Sequence, residues 1–509
     1  MSDIVATWEE VAATRSRRAK VHLLAACLRG LSPGERVAGA SFLSGEPAQG
    51  RIGVGWATLA GATPQPALAP GTLTVADADA ALRRVAAASG RGSRGERAGV
   101  LGDLLGRATA AEQRFLQSMI LQDLRQGALE GVLVEAVAAA AGAPAAEVRR
   151  ALMVHGHLGE VAAAALEGGI PALRRFTLTL FRPVQPMLAQ TAADLNAALS
   201  GMGRVGLEAK IDGARIQVHR QGERVAVFTR TGREITASVP EIVAAVLLSP
   251  AGSLILDGEA VALRPDGRPY PFQATMSRFG TRGGPETAGA LRLTPLFFDC
   301  LHCEGTDLIA EAAEARWEAL HAQVGAGLLV AHIVTDSPDA AAAFLGEVLG
   351  CGHEGVLAKD PSAPYEAGRR GASWLKVKPV LTLDLVVLGA EWGYGRRQGW
   401  LSNLHLGAHD PASGGFVMLG KTFKGLTDDM LAWQTERLLA LEAGRDGQVV
   451  VVRPELVVEV AFDGVQASPR YPGGVTLRFA RVKGYRPDRR AAEADTIDTV
   501  RRIGGFGDS

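Results

Sequence analysis

The spacing of apolar residues changes character at Phe181, and no single fold accommodates both regimes. Before that point apolar positions recur every three or four residues, as in Phe115, Leu116, Met119, Ile120 and Leu124. That is the stripe of an amphipathic helix. After it they alternate: residues 215–219 and 224–228 flank Gln221-Gly222 as a β-hairpin would. Between the regimes, Arg182-Pro183-Val184-Gln185-Pro186-Met187-Leu188 reads as an extended connector. Each proline holds its own φ and drives the residue before it out of helical space. A chain of 509 residues is too long for one core in any case.

Residues 1–181 are expected to be all-helical. Ser32-Pro33-Gly34-Glu35 and Thr109-Ala110-Ala111-Glu112 both fit a capping box; Gly127 interrupts the pattern before a helix over 129–141, and Pro144 opens another. Beyond the connector, Thr191-x-x-Asp194 caps a short helix, and an α+β region follows to residue 381. Its expected strands include 254–256, 296–298, 356–358 and 374–377, with helices over 312–322 and 338–349. From 382 to 509, strands near 383–388, 415–419, 449–451, 456–462 and 476–479 accompany one helix over 428–441. Five strands and a helix in about a hundred residues suit a small barrel of the OB type. The polar tail after Arg489 caps the barrel or lies loose.

The polar, acidic N-terminus has no apolar h-region, and charge and glycine break the alanine-rich stretches, so neither a signal peptide nor a membrane span is expected. A cytoplasmic protein fits. Formal net charge is zero, so any nucleic-acid partner must be met by local patches. Arg15, Arg17, Arg18 and Lys20 form one; Arg91, Arg94 and Arg97 form another in a Gly/Ser-rich loop. Both suit phosphate contacts, and both suit a solvated surface. The four cysteines are too scattered for a disulfide framework. Cys300-Leu-His-Cys303 has half-zinc-site spacing, but residues three apart on a strand face opposite ways, so buried free thiols are expected.

Lysine is the sharpest compositional signal. The chain has eight lysines against forty-six arginines. Four fall between Arg182 and Pro379, each in a charged motif: Glu208-x-Lys210-x-Asp212-Gly213, Glu354-Gly-Val-Leu-Ala-Lys359, and Trp374-Leu-Lys376-Val-Lys378. Asp257 and Glu259 follow the apolar run 254–256. Converging lysines and carboxylates suit phosphoryl transfer: cations spread the charge of a triphosphate, carboxylates hold hydrated Mg²⁺, and a lysine, unlike arginine, can act as a neutral nucleophile. Taken singly, each motif also reads as a turn or a charged strand edge.

In order, the motifs are Lys210-Ile-Asp212-Gly213-Ala-Arg215, Thr229-Arg230-Thr-Gly-Arg233-Glu, Leu256-Asp257-Gly258-Glu259, Leu296-Phe-Phe298-Asp299, Glu354 to Lys359, Trp374 to Lys378, and Thr476-Leu-Arg478-Phe-Ala-Arg481. The set resembles the covalent nucleotidyltransferase superfamily, specifically ATP-dependent DNA ligases of the bacterial and archaeal three-domain type. Asp123-Leu-Arg125-Gln-Gly127 and Gly395-Arg396-Arg397-Gln-Gly-Trp400-Leu-Ser-Asn403 extend the likeness to both flanks. The resemblance implies a helical DNA-binding domain (1–181), an adenylation domain (182–381) and an OB-fold domain with its tail (382–509). It implies ATP and Mg²⁺ or Mn²⁺ as cofactors and nicked duplex DNA as partner, in a monomeric, nucleoid-associated bacterial protein.

The same resemblance implies roles. Lys210 attacks the α-phosphate and carries AMP; Glu208 reads the adenine amino group; Arg215, Arg230 and Arg370 contact the nucleotide. Glu259 and Glu354 serve ribose and metal, Phe298 stacks on the base, and Lys376 and Lys378 contact the α-phosphate. Arg478, Arg481, Asp488 and Arg489 form the barrel motif, and Arg125, Gly127, Arg396 and Arg397 meet DNA. The barrel motif usually ends in Arg-x-Asp-Lys, whereas Arg486-Pro487-Asp488-Arg489 ends in arginine, which puts the efficiency of the first step in question. An NAD-dependent ligase would need a four-cysteine zinc finger that these cysteines cannot build. An mRNA capping enzyme rarely carries so long a helical region in front. An RNA ligase and a catalytically inactive DNA-binding scaffold are the remaining alternatives.

Overall fold

The computed structural model describes residues 1–50, 52–68, 71–90, 92–124, 126–127, 130–279, 291–366 and 370–506. Arg91 and Arg125 lie outside the described residues, as does the side chain of Arg370. The chain divides into two compact units, 1–270 with 275–377, and 271–274 with 378–509. No described helix is long and apolar enough to cross a membrane.

The first unit opens with helices only, from Ser2–Ala13 to Leu158–Leu173. Their apolar stripes meet in one core that includes Leu24, Phe42, Leu82, Leu101 and Phe115. Thr109 and Glu112 form the expected capping box. Ser32 does not: its hydroxyl donates to Glu35 Oε2 at 2.7 Å, and it precedes only a 3₁₀ turn. A third box, Thr74 with Asp77, carries aspartate in place of the usual glutamate or glutamine.

Each basic cluster sends one member into the fold, while Arg15, Arg17, Arg18 and Arg94 are exposed. Lys20 is buried and donates to Gln126 O at 2.5 Å, while Arg17 pairs with Glu135 at 2.8 Å. Arg94 and Arg97 lie in the helix Ser93–Arg107 rather than in a loop. Arg97 turns inward to donate to Val85 O and Ala88 O, capping the end of the helix Val75–Ala87.

The α+β part carries β1 (Leu188–Thr191), β2 (Val205–Ala209), β3 (Ala214–Gln221), β4 (Arg224–Thr229), β5 (Ser253–Ala262), β6 (Leu293–Cys303), β7 (Thr306–Asp307), β8 (His332–Thr335), β9 (Val356–Lys359) and β10 (Arg370–Val377). They form two five-stranded sheets, in orders β1-β10-β9-β2-β8 and β4-β3-β5-β6-β7. The helix after the connector is capped by Asp194 itself, accepting from Ala197 N at 2.8 Å; Thr191 ends β1 instead. The cysteines also differ from expectation. Leu256 pairs with Cys300 and Ile255 with His302, so Leu301 is bulged out of register. The bulge turns Cys300 and Cys303 to a common side, opposite Leu256 and Leu254. All four cysteines are free, and no metal-ligating cluster occurs among the described residues.

The second unit holds β11 (Leu381–Trp392), β12 (Leu401–Asp410), β13 (Gly415–Thr422), β14 (Glu442–Asp446), β15 (Val449–Val452), β16 (Val457–Phe462), β17 (Gly464–Ala467), β18 (Val475–Arg478) and β19 (Arg481–Tyr485). The long β11 pairs with β12, β15 and β16, and so organises the sheet. The structure thus has more strands than the five expected. β12 and β14 are too polar, and β17 too short, to announce themselves as apolar runs. The tail adds a helix, Ile497–Ile503, whose Ile497 and Val500 are buried in the core.

Candidate functional site

β2 stops at Ala209, one residue short of Lys210, and a tight connection leads to β3. Lys210 still holds strand register: its amide donates to Gly355 O at 2.8 Å, and its carbonyl accepts from Glu354 N at 3.1 Å. That backbone exchange delivers the Glu354 carboxylate to Lys210 Nζ, which donates to it. Gly213 closes the connection against β5. A Cβ there would fall 2.4 Å from Ala260 O and 2.9 Å from Glu259 Cγ, so only glycine permits the approach. Glu259 is thereby brought into the field of Lys210 and Arg215. Burial pushes its carboxyl up to about 7, against the pull of those two cations.

Strand pairing lays out a floor beside this cluster. Leu357 on β9 pairs with Glu208 on one side and Lys376 on the other. One step along, Lys359 lies between Gly206 and Trp374. Residues directly opposite share a face, so Glu208, Lys359, Trp374 and Lys376 project together. Lys359 Nζ sits 2.7 Å from Glu208 Oε2, donates to Phe298 O at 3.0 Å, and lies 5.0 Å from the Phe298 ring and 4.3 Å from that of Trp374. Burial lifts Glu208 to about 7 despite Lys359. The pairing of Lys359 with Glu208 was missed from sequence; its signal was the scarcity of lysine.

Arg215 is committed to a buried network. It donates to Asp257 Oδ1 and Oδ2 at 3.0 and 2.7 Å and to Met187 O at 2.6 Å, while Tyr365 OH donates to Asp257 at 2.8 Å. Burial opposes its charge, but Asp257, Tyr365 and Glu259 outweigh that and raise its pKa. Asp257-Gly258 is therefore strand interior, not a hairpin turn. Arg230 is exposed beyond β4.

Lys378 falls in the second unit, with Nζ 3.6 Å from Asp463 Oδ2. Arg481 also reaches Asp463, at 3.5 Å. Arg486 and Arg489 converge on Asp384 at 3.0 and 3.2 Å, and Arg486 holds Asp488 at 2.7 Å. Arg478 and Lys424 flank the exposed Phe479 ring, whose backbone is left-handed at φ 54°. Arg396 lies 3.8 Å from Asp428, and Arg397 donates to Phe423 O. Gly127, back in the helical region, needs glycine: φ is 59°, and a Cβ would meet Lys20 Nζ at 2.9 Å.

The raised Glu259 has a testable consequence. A carboxyl whose folded pKa exceeds its unfolded value stabilises the fold below about pH 4.5, and that contribution, up to about 3 kcal/mol, is lost as pH rises through 7. The ligand-free protein should lose melting temperature between pH 5.5 and 8.5, and Glu259→Gln should flatten that decline. Parallel pH profiles for wild type and variant would refute the assignment.

Three family models match: "DNA ligase N terminus" over residues 59–138, "ATP dependent DNA ligase domain" over 186–378, and "ATP dependent DNA ligase C terminal region" over 397–489. A "Probable DNA ligase" of Anaeromyxobacter sp. (strain Fw109-5) is 60% identical over 99% of this chain and 98% of its own. One of Mycolicibacterium vanbaalenii is 54% identical over 98% of both. A solved structure described as "Pmar-Lig_PreS3" shares the fold at a TM-score of 0.63 and 18% identity, over 95% of this chain and 99% of that one.

Proposed function

The chain belongs to the ATP-dependent DNA ligase family, and from that premise we propose that it seals 5′-phosphate/3′-hydroxyl nicks in duplex DNA through a lysyl-AMP on Lys210. The observation that carries the reading is the Lys210–Glu354 contact, set beside Glu259 at the end of a floor bearing Glu208, Lys359 and Lys376. Residues 1–181, 182–381 and 382–509 then serve as DNA-binding, adenylation and OB-fold regions.

In the first step Lys210 Nζ attacks the α-phosphorus of ATP, the bond to the bridging oxygen breaks, and pyrophosphate leaves. The 5′-phosphate oxygen of the nick next displaces the lysine amine, which departs with a proton. The 3′-hydroxyl finally displaces AMP and closes the backbone. All three are in-line displacements at phosphorus, so one set of cations serves them. Glu354 aims Nζ, and Lys376 faces the α-phosphate, with Lys378 assigned to it on motif alone. Arg215 is oriented by Asp257 toward the ribose, and Arg230 and Arg370 are assigned to the nucleotide. Glu259 and Glu354 fit Mg²⁺ or Mn²⁺, because two carboxylates suit a hydrated ion completed by phosphates; it would offset phosphate charge. Arg478, Arg481, Asp488 and Arg489, with exposed Phe479, form the barrel surface assigned to ATP and DNA, and Gly127, Arg125, Arg396 and Arg397 further DNA contacts.

The base is read by a charged pair above the Phe298 platform. Adenine presents a donor at N6 and an acceptor at N1, matching the Glu208 carboxylate and the Lys359 ammonium; guanine presents the reverse. Lys359→Met should weaken ATP binding about 10- to 100-fold and narrow the preference over GTP. Unchanged ATP and GTP titrations of lysyl-nucleotide formation would remove Lys359 from the site. For the reaction itself, ATP and nicked duplex should give sealed product and NAD⁺ should not replace ATP; sealing of nicked RNA alone would favour the RNA-ligase reading.

A further inference from the structure

The connector between the helical and α+β parts is gripped from two sides. β3 already carries β4 and β5 on its edges, so the connector cannot pair with it as a strand. Instead, alternate side chains on one face of β3 take hold of its backbone at three-residue intervals. His219 Nδ1 accepts from Phe181 N at 2.9 Å; Gln217 accepts from Val184 N at 2.7 Å and donates to Val184 O at 3.3 Å; Arg215 donates to Met187 O at 2.6 Å. Gln217 Oε1 also accepts from His219 Nε2 at 2.8 Å, so the grips are joined. Val184 and Met187 each follow a proline, and a spacing of three matches the polyproline repeat.

The intervening residues face the helical region. Arg182 contacts His155 Nδ1 at 2.6 Å; Gln185 donates from its amide to Met153 O at 3.0 Å and from its side chain to Glu130 Oε2 at 3.3 Å. At the upstream end Phe181 is left-handed, φ 68°, with the Arg224 guanidinium 3.7 Å over its ring. A bulky aromatic holds that conformation only where its surroundings over-determine it.

We propose that residues 181–187 are a two-sided strap that fixes the helical region against β3, that Gln217 is its positioning residue, and that nick sealing, but not self-adenylation, depends on it. The inference rests on the nick-sealing reading above. The side-chain hydrogen bonds of Gln217 go to Val184 and His219, neither of them assigned to nucleotide chemistry.

The experiment compares wild type, Gln217→Met, Gln217→Glu and Gln185→Ala in the full-length protein. Gln217→Met should leave lysyl-AMP formation within about twofold while lowering sealing of subsaturating nicked duplex by pre-adenylated enzyme about tenfold or more, through affinity for DNA rather than rate at saturation. Gln217→Glu, which keeps the acceptor for Val184 N, should recover much of the loss, and Gln185→Ala should lose sealing from the other side. Hydrogen exchange at the Phe181 and Val184 amides should be slow in wild type and faster at Val184 in Gln217→Met. Unprotected amides in wild type, unchanged sealing in Gln217→Met, or equal losses in both steps would each overturn the strap. Wild type that self-adenylates but seals no nicked duplex overturns the proposed function instead, and the exchange rates then decide alone for or against the strap.

Discussion

Lys210→Ala protein given α-labelled ATP and Mg²⁺ should take up no label, and ATP-driven sealing should fall at least about 10⁴-fold, some 5–6 kcal/mol of barrier. No neighbour can stand in. Lys359 is held between Glu208 and the Phe298 carbonyl, and Lys376 lies across the sheet on β10. Arginine cannot supply a neutral amine, so Lys210→Arg fails as well. The last step offers the control. Given a nick already carrying AMP on its 5′-phosphate, the attacking group is the 3′-hydroxyl, and Lys210→Ala protein should still release AMP and close the strand, more slowly for want of one cation. Label on Lys210→Ala protein would end the assignment. Loss of the last step together with the first would mean that the variant is misfolded.

What could be read in the chain followed its periodicities. The helical stripe before Phe181 and the alternation after it gave the right class of structure on either side, because burial on one face imposes those periods. Strand ends and polar strands were hidden: β5 and β6 extend well past the apolar runs 254–256 and 296–298 because pairing with β3 and with each other stabilises their polar ends. The bulge at Leu301 escaped notice for a related reason, since a strand pattern cannot show which residue its partner skips. In the site, motif spacing marked Lys210, Glu259 and Glu354. It could not show that Arg215 is bound up with Asp257 and Tyr365, because Tyr365 is 150 positions away. Charge spacing could not show which members of the clusters in the helical region turn inward: Lys20 and Arg97 hold backbone carbonyls, while Arg15, Arg17, Arg18 and Arg94 face solvent.

Asp299→Ala should be the most destabilising single change of a charged side chain here, at about 3–5 kcal/mol. Asp299 follows Phe298 in the fourth motif, and an acidic residue there invites reading as a metal ligand. Its surroundings argue otherwise. Asp299 is 2% exposed, Arg316 is fully buried, and the two are joined at 2.8 and 3.2 Å. Arg316 also donates to Glu311 O at 2.6 Å and Ala363 O at 3.1 Å. Those bonds tie the helix Ala313–Gln323 and the segment before β10 to β6. Removing the carboxylate leaves a guanidinium buried without its counter-charge, whereas removing both charges restores a neutral interior. Arg316→Met added to Asp299→Ala should therefore recover part of the lost stability, with a coupling of about 1–3 kcal/mol in a double-mutant cycle. The melting transition of the first unit should fall by roughly 5 °C in the single variant. If Asp299 were a metal ligand, activity would fall with melting temperature unchanged, and Arg316→Met would rescue nothing. The predicted pattern makes this aspartate a structural anchor beside Phe298, and separates it from Glu259 and Glu354, the carboxylates proposed to serve the reaction.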